Sequence, residues 1–294
     1  MNTHCATFII FLLLNFGLSA SDKIQLRPDW EIGKVYQQET TTEMIFKNPD
    51  LLDSGNQKTI FTQTLSVAVS QDDGANQKVA EVNITSLKGS MDLMGQTVSY
   101  DSANPAQSPP FLQQAFGSLA GRSFSLVYDQ NNNFVETRIA ESPSAAATPL
   151  GSGKGMSGQQ LADAFRKSQD IPLPKSPISV GETWRYQDKI EMPPLGIITI
   201  EVSGKFEAIV EEGGHRQAKL LIEGVFQFPQ NDSAVIRFGS GSKFTGEIFF
   251  DLDRRLVSRS SMNSTISVLA DGRAAPLTQS VKSKLTSIAN AAQK

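Results

Sequence analysis

Along residues 58–70 the apolar positions alternate: Phe61, Leu65, Val67 and Val69 share one face, with Thr and Ser opposite. Period two over this length predicts a half-buried β-strand. Asp72-Asp73-Gly74-Ala75-Asn76 supplies a hairpin turn, because Gly and Asn tolerate positive φ. Ala80, Val82 and Ile84 then line the returning strand, and a further strand is expected over 95–100. Here the period lengthens. After Ser108-Pro109-Pro110, the residues Phe111, Leu112, Ala115, Phe116 and Leu119 recur at helical spacing. Proline suits the first turn of that helix and Gly121 its stop. Strand patterning resumes at Phe124, Leu126 and Tyr128, turns at Asp129-Gln130-Asn131-Asn132-Asn133, and runs back over 134–139.

Residues 141–155 are Ser, Ala, Pro and Gly with almost nothing apolar, which reads as a linker. Ser157-Gly158-Gln159-Gln160 fits a capping box, in which the Ser and the Gln three residues on serve each other's backbone N–H groups. The helix it opens carries Leu161, Ala164 and Phe165 on one side, and Pro172, Pro174 and Pro177 form an extended connector after it.

The second half is the clearest β sequence. Ile198, Ile200, Val202, Phe206, Ala208 and Val210 share one face, and Glu211-Glu212-Gly213-Gly214-His215 turns the chain. Leu220, Ile222, Phe226 and Phe228 line the return, followed by Phe244, Ile248 and Phe250, a turn at 251–254, and Leu256, Met262, Ile266 and Val268. In the last segment Leu277, Val281 and Leu285 fit one face of a strand and, with Ala289, also a helix; a strand is the expectation.

The halves echo one another. Ile178-Ser179-Val180-Gly181-Glu182-Thr183-Trp184-Arg185-Tyr186 has a counterpart in Trp30-Glu31-Ile32-Gly33-Lys34-Val35-Tyr36: an aliphatic residue, a Gly, two spacers and a large aromatic. Turns follow in the same order, with Gly33, Asp72-Asp73-Gly74 and Asp129 against Gly181, Glu211-Glu212-Gly213 and Asp251. A looser echo sets Gly121 and Phe124 against Gly246 and Phe249. The predicted fold is therefore mainly β, a β-rich α+β chain of two repeated antiparallel meanders forming a curved sheet or half-barrel with two short helices. The expected divisions are 1–20, a signal peptide; 21–140, a first β half with one helix; 141–177, linker, short helix and Pro-rich connector; and 178–294, a second β half. The two halves can form one continuous domain.

The signal reading rests on the uninterrupted apolar run 8–14, which closes on Gly17, Ser19 and Ala20 without any Asp, Glu, Lys or Arg in the first twenty residues. Such a run is short for a membrane span and suits secretion, with cleavage expected after Ala20. The expected location is secreted or periplasmic, with no integral membrane segment once the signal is removed. Removal also takes away Cys5, the sole cysteine, and with it any disulfide or thiolate chemistry. Net charge is −3. Basic residues gather after residue 251, but without the density and interleaved aromatics of a nucleic-acid surface, so no nucleic-acid partner is expected.

Candidate chemistry is sparse. His215 is the only histidine outside the leader, and it sits in a Gly-rich turn. One histidine without a thiol removes the usual nucleophile–base pairs and the common zinc sites. The acidic pairs Asp72/Asp73, Glu211/Glu212 and Asp251/Asp253 fall at hairpin tips, a poor place for two carboxyls to face each other across a cleft. Asp251 and Asp253 lack the further oxygen ligands calcium needs and are followed by two cations. Gly151-Ser152-Gly153-Lys154-Gly155 departs from a phosphate-binding loop in its glycine spacing and in lacking Ser or Thr after the Lys. The expectation is a non-enzyme with no catalytic, cofactor or metal residues and no cofactor.

An exported N-terminus, a Gly-x-x-Tyr opening, Tyr100-Asp101-Ser102, and a Pro-rich run into Val180-Gly181-Glu182-Thr183-Trp184 together resemble a family of uncharacterised bacterial envelope proteins, a domain of unknown function. Gly246-Glu247-Ile248-Phe249-Phe250-Asp251 is similar to that family's Gly-x-Ile-x-Phe-Asp step, with one extra residue before the Asp. The resemblance implies fold and compartment and carries over no catalytic residue. A curved sheet with helices on its concave side is also similar to the lipoprotein-carrier half-barrels of the bacterial envelope, a likeness of fold alone. In that arrangement Phe111, Leu112, Phe116, Leu161 and Phe165 are the candidate lining for a lipid or other apolar ligand, with plain core packing as the competing role. The alternative function is a structural or interaction module that binds another envelope protein.

Overall fold

A computed structural model describes residues 23–47, 57–72, 76–93, 96–117, 119–139, 157–170, 173–192, 196–229, 236–270 and 273–291. The expected leader, the linker at 141–155 and the hairpin tip at 73–75 lie outside these. The first half contains β1 (Lys34–Phe46), β2 (Gln57–Asp72), β3 (Gln77–Leu93), β4 (Gln96–Asp101), helix α1 (Pro110–Phe116), β5 (Ser123–Tyr128) and β6 (Phe134–Arg138). Helix α2 (Gly158–Asp170) leads to the second half: β7 (Thr183–Met192), β8 (Gly196–Glu212), β9 (His215–Gln227), β10 (Ile236–Phe238), β11 (Lys243–Asp251), β12 (Leu256–Ile266), β13 (Val268–Ala270), β14 (Arg273–Ala274) and β15 (Leu277–Asn290). The last segment is a strand throughout its length, paired with β1 to its end and with β12 over 277–284.

Twelve strands form one antiparallel sheet in the order β6-β5-β3-β2-β1-β15-β12-β11-β9-β8-β7, with β4 added beside β3. This order displays the repeat. The first meander crosses the sheet from β1 through β2, β3 and β5 to β6. The second crosses in the same direction from β7 through β8, β9 and β11 to β12, and β15 fills the place between them.

The repeat extends to backbone hydrogen bonds. At Gly33, φ is +81°, its N–H donates to the Val69 carbonyl, and the Lys34 N–H donates back to Glu31. At Gly181, φ is +88°, its N–H donates to the Phe206 carbonyl, and the Glu182 N–H donates back to Ser179. Both are four-residue turns whose third position needs positive φ, which glycine supplies without steric cost. The echo expected at Gly246 and Phe249 lies elsewhere: Gly241, at φ +88°, opens β11 as Gly121, at φ +78°, opens β5. Phe244 and Phe124 stand three residues on, both buried.

Four strand glycines are each covered by the side chain paired with them across the ladder. Gly89 lies under Phe61, Gly204 under Trp184, Gly224 under Phe244 and Gly246 under Met262. Glycine weakens a strand but permits close approach and curvature, and the large partner covers the backbone that it leaves bare. One buried cluster gathers Val202, Phe206, Leu220, Ile222, Ile248 and Phe250 from the second meander. Another gathers Tyr36, Val67, Val82, Phe124 and Leu126 from the first with Ala162 of α2.

Candidate functional site

Helix α2 begins on a reciprocal cap: the Ser157 N–H donates to Gln160 Oε1 at 2.9 Å, and the Gln160 N–H donates to Ser157 Oγ at 3.2 Å. It packs on β5, β6 and β7, so one helix touches both ends of the open sheet. Neighbouring side chains divide the task. The Arg166 guanidinium lies 4.6 Å from the centre of the Phe134 ring on β6. The Lys167 ammonium donates to the Lys189 carbonyl on β7 and stands 3.9 Å from the Asp188 carboxylate. The sheet has therefore curled, and α2 spans the gap.

The segment before β1 spans it too. Ile24 exchanges two backbone hydrogen bonds with Ile178, and Leu26 is buried in the core of the second meander. Asp29 accepts hydrogen bonds from Lys78, Asn132 and Arg255, and Trp30 packs edge-on against Tyr36 in the first core.

Between α2 and the inner face of the sheet lies a cavity of about 510 Å3. That volume falls in the range of roughly 300–1,000 Å3 usual for ligand pockets. Leu161, Ala164 and Phe165 form its roof. Apolar walls come from Leu65, Ile84 and Phe124 on one side and from Ile200, Val202, Ile222, Phe244 and Ile248 on the other. Gln38, Thr40, Gln63, Ser260, Ser264, Gln279 and Ser283 also line it.

Of the five residues named as candidate lining, the structure brings Leu161 and Phe165 to this cavity. Leu112 and Phe116 occupy a third cluster with Leu87 and Tyr100, where the Phe116 ring centre lies 4.7 Å from that of Phe61. Phe111 is 44% exposed. Helix α1 has only seven residues, and Leu112 and Phe116, one turn apart, take its sheet-facing stripe. Phe111 precedes that stripe by about 100° of helix rotation.

One acidic group departs from the solvated tip expected of it. Asp251 is 0% exposed, and its Oδ1 accepts the backbone N–H groups of Asp253 and Arg254. Ligand atoms of His215, Asp251 and Asp253 lie within 4.8 Å of one another. The carboxylates already face cations, however: the Arg216 backbone and guanidinium hold Asp253 below the usual carboxylate range, and Arg254 stands 3.7 Å from Asp251. The group braces a turn.

No family model matches the chain, and neither does any curated protein. Among solved structures, lipovitellin, described for its lipid–protein interactions, aligns over 90% of this chain at 12% identity and a TM-score of 0.47. The chain spans 26% of that protein's length. DynF, from the dynemicin biosynthesis pathway of Micromonospora chersina, aligns over 91% of this chain and 85% of its own at 8% identity and a TM-score of 0.22. At TM-scores below 0.5 neither likeness bears on function. No helix among the described residues is long and apolar enough to cross a membrane.

Proposed function

We propose that this chain is a non-enzymatic binding protein that holds a lipid or other apolar ligand between its curled sheet and helix α2, working outside the cytoplasm. The observation that supports this reading is the cavity itself, walled by both meanders and roofed by an amphipathic helix that contacts both ends of the sheet. An apolar space beside a helix with few tertiary contacts suits a ligand that enters by displacing the helix. The extracellular or periplasmic setting draws its support from the N-terminal apolar run at 8–14 and from the sole cysteine, Cys5, falling in the expected leader ahead of that run.

The test is uptake of an environment-sensitive apolar probe by delipidated protein, together with mass spectrometry of lipid co-purified from the expression host. Saturable uptake near one equivalent is expected. A protein that takes up no probe and carries no lipid would refute the proposal.

A further inference from the structure

Four lining residues of the cavity form a row on the sheet. Gln63 of β2 is the register partner of Thr40 of β1, Thr40 of Ser283 of β15, and Ser283 of Ser260 of β12. All four side chains point inward in phase with apolar neighbours: Gln63 lies between Phe61 and Leu65, and Ser260 pairs on its other side with Ile248. A polar belt thus crosses the four central strands on the wall opposite α2, flanked by Gln38, Ser264 and Gln279 and set between the apolar walls of the two meanders.

The belt has hydrogen-bonding capacity to spare. Ser283 Oγ accepts from Gln38 Nε2 at 2.6 Å and from Thr40 Oγ1 at 3.0 Å. With both lone pairs engaged, its own O–H remains a donor in need of an acceptor. Among the described residues, the side chains of Gln63 and Ser260 make no hydrogen bond. Gln279 accepts weakly from Ser264 at 3.4 Å, leaving its amide N–H groups to donate.

Charge is missing from this wall. Among the described residues Lys167 is the one charged residue lining the cavity, and its ammonium is turned to the Lys189 carbonyl and Asp188. An ionised head group placed at the belt would be desolvated without a counter-ion, which is costly. A hydroxyl, ester or amide would instead exchange hydrogen bonds with Gln63, Ser260 and Ser283.

We infer that the ligand is a neutral amphiphile whose uncharged polar group docks on the Gln63–Thr40–Ser283–Ser260 row while its apolar part lies under α2. This rests on the apolar-ligand reading above. The experiment measures competitive displacement of diphenylhexatriene from the full chain by 1-monooleoylglycerol and by oleate at pH 8, in the parent protein and in Gln63→Leu and Ser260→Val. Monooleoylglycerol is expected to bind roughly tenfold more tightly than oleate, and each variant to erode that preference severalfold, both competitors being read against the diphenylhexatriene affinity measured in the same variant. Equal or tighter binding of oleate would move the polar group to the cations Arg27 and Lys175 of the neighbouring cleft and overturn the inference. Unchanged preference in both variants would also overturn it. If diphenylhexatriene itself failed to bind, the apolar-ligand reading would fall as well, so the two failures are distinguishable.

Discussion

The indole of Trp184 lies across the backbone of Gly204, its partner on the next strand, in the space that a Cβ would occupy. The aromatic of the second Gly-turn motif is therefore a cover for bare strand backbone. Trp184→Ala is expected to destabilise the fold by about 2–4 kcal/mol, through lost burial and the cavity left over the Gly204 backbone. Gly204→Ala should also destabilise, because its methyl group meets the ring. Trp184→Phe should cost less, since the buried indole N–H has no hydrogen-bond partner among the described residues. Urea denaturation of the three variants checks this, and unchanged stability in Trp184→Ala alongside weaker ligand binding would contradict it.

The turn glycines offer a cleaner backbone test. Among the described residues nothing lies within 4 Å of a Cβ built on Gly33 or Gly181, so substitution there meets no steric clash with them. Gly33→Ala and Gly181→Ala should each cost about 1–2 kcal/mol from the positive φ alone. The sites open different strands far apart in the sheet, so the double variant should show the sum. Equilibrium unfolding of the single and double variants provides the measurement.

Ala164 faces the cavity from the roof between Leu161 and Phe165. Ala164→Phe should fill part of the chamber and weaken apolar-probe binding roughly tenfold or more. Its melting temperature should stay near that of the parent, because the added ring enters a space that is already open. Fluorescence titration and calorimetry would separate the two effects.

Asp29 supplies the expected acid sensitivity. Burial acts to raise its pKa, but hydrogen bonds from Lys78 and Asn132 and the charges of Lys78 and Arg255 outweigh it, holding the carboxyl below its ordinary value of 3.8. A carboxyl depressed by folding contributes stability above its unfolded pKa and loses it as pH falls through the folded one. Stability should therefore decline as the pH drops below about 4. Asp129, hydrogen-bonded by Asn133, and Asp253, hydrogen-bonded by Arg216, are lowered in the same direction. Asp29→Asn should cost about 1 kcal/mol at neutral pH and make the acid decline shallower, as read by denaturation at pH 3 to 7.

Much of the architecture is legible in the residues because alternation and glycine turns are local properties. Gly33 and Gly181 announce their turns, and Ser157 with Gln160 announces the cap. The cavity was harder to read. Helical spacing shows that Leu112 and Phe116 share an apolar stripe, but it cannot say what that stripe covers, and here it covers Phe61, Leu87 and Tyr100. The polar belt did leave one local sign: Gln63 interrupts the face shared by Phe61 and Leu65. Recognising the belt needs the register that sets Gln63, Thr40, Ser283 and Ser260 side by side. That register joins strands far apart in sequence.

The place of β15 between the two meanders also governs how this molecule can be made. Lys34 of β1 meets Asn290 of β15 across 256 positions of chain. Until β15 exists, β1 and β12 are two raw edges with unpaired N–H and C=O groups, each able to recruit a foreign strand. Each meander can assemble from near-neighbour hairpins. Joining them requires a loop closure nearly as long as the protein, which makes it the slow and aggregation-exposed step. The residues of β15 thus act as a late stitch, and their loss would leave two sheets instead of one.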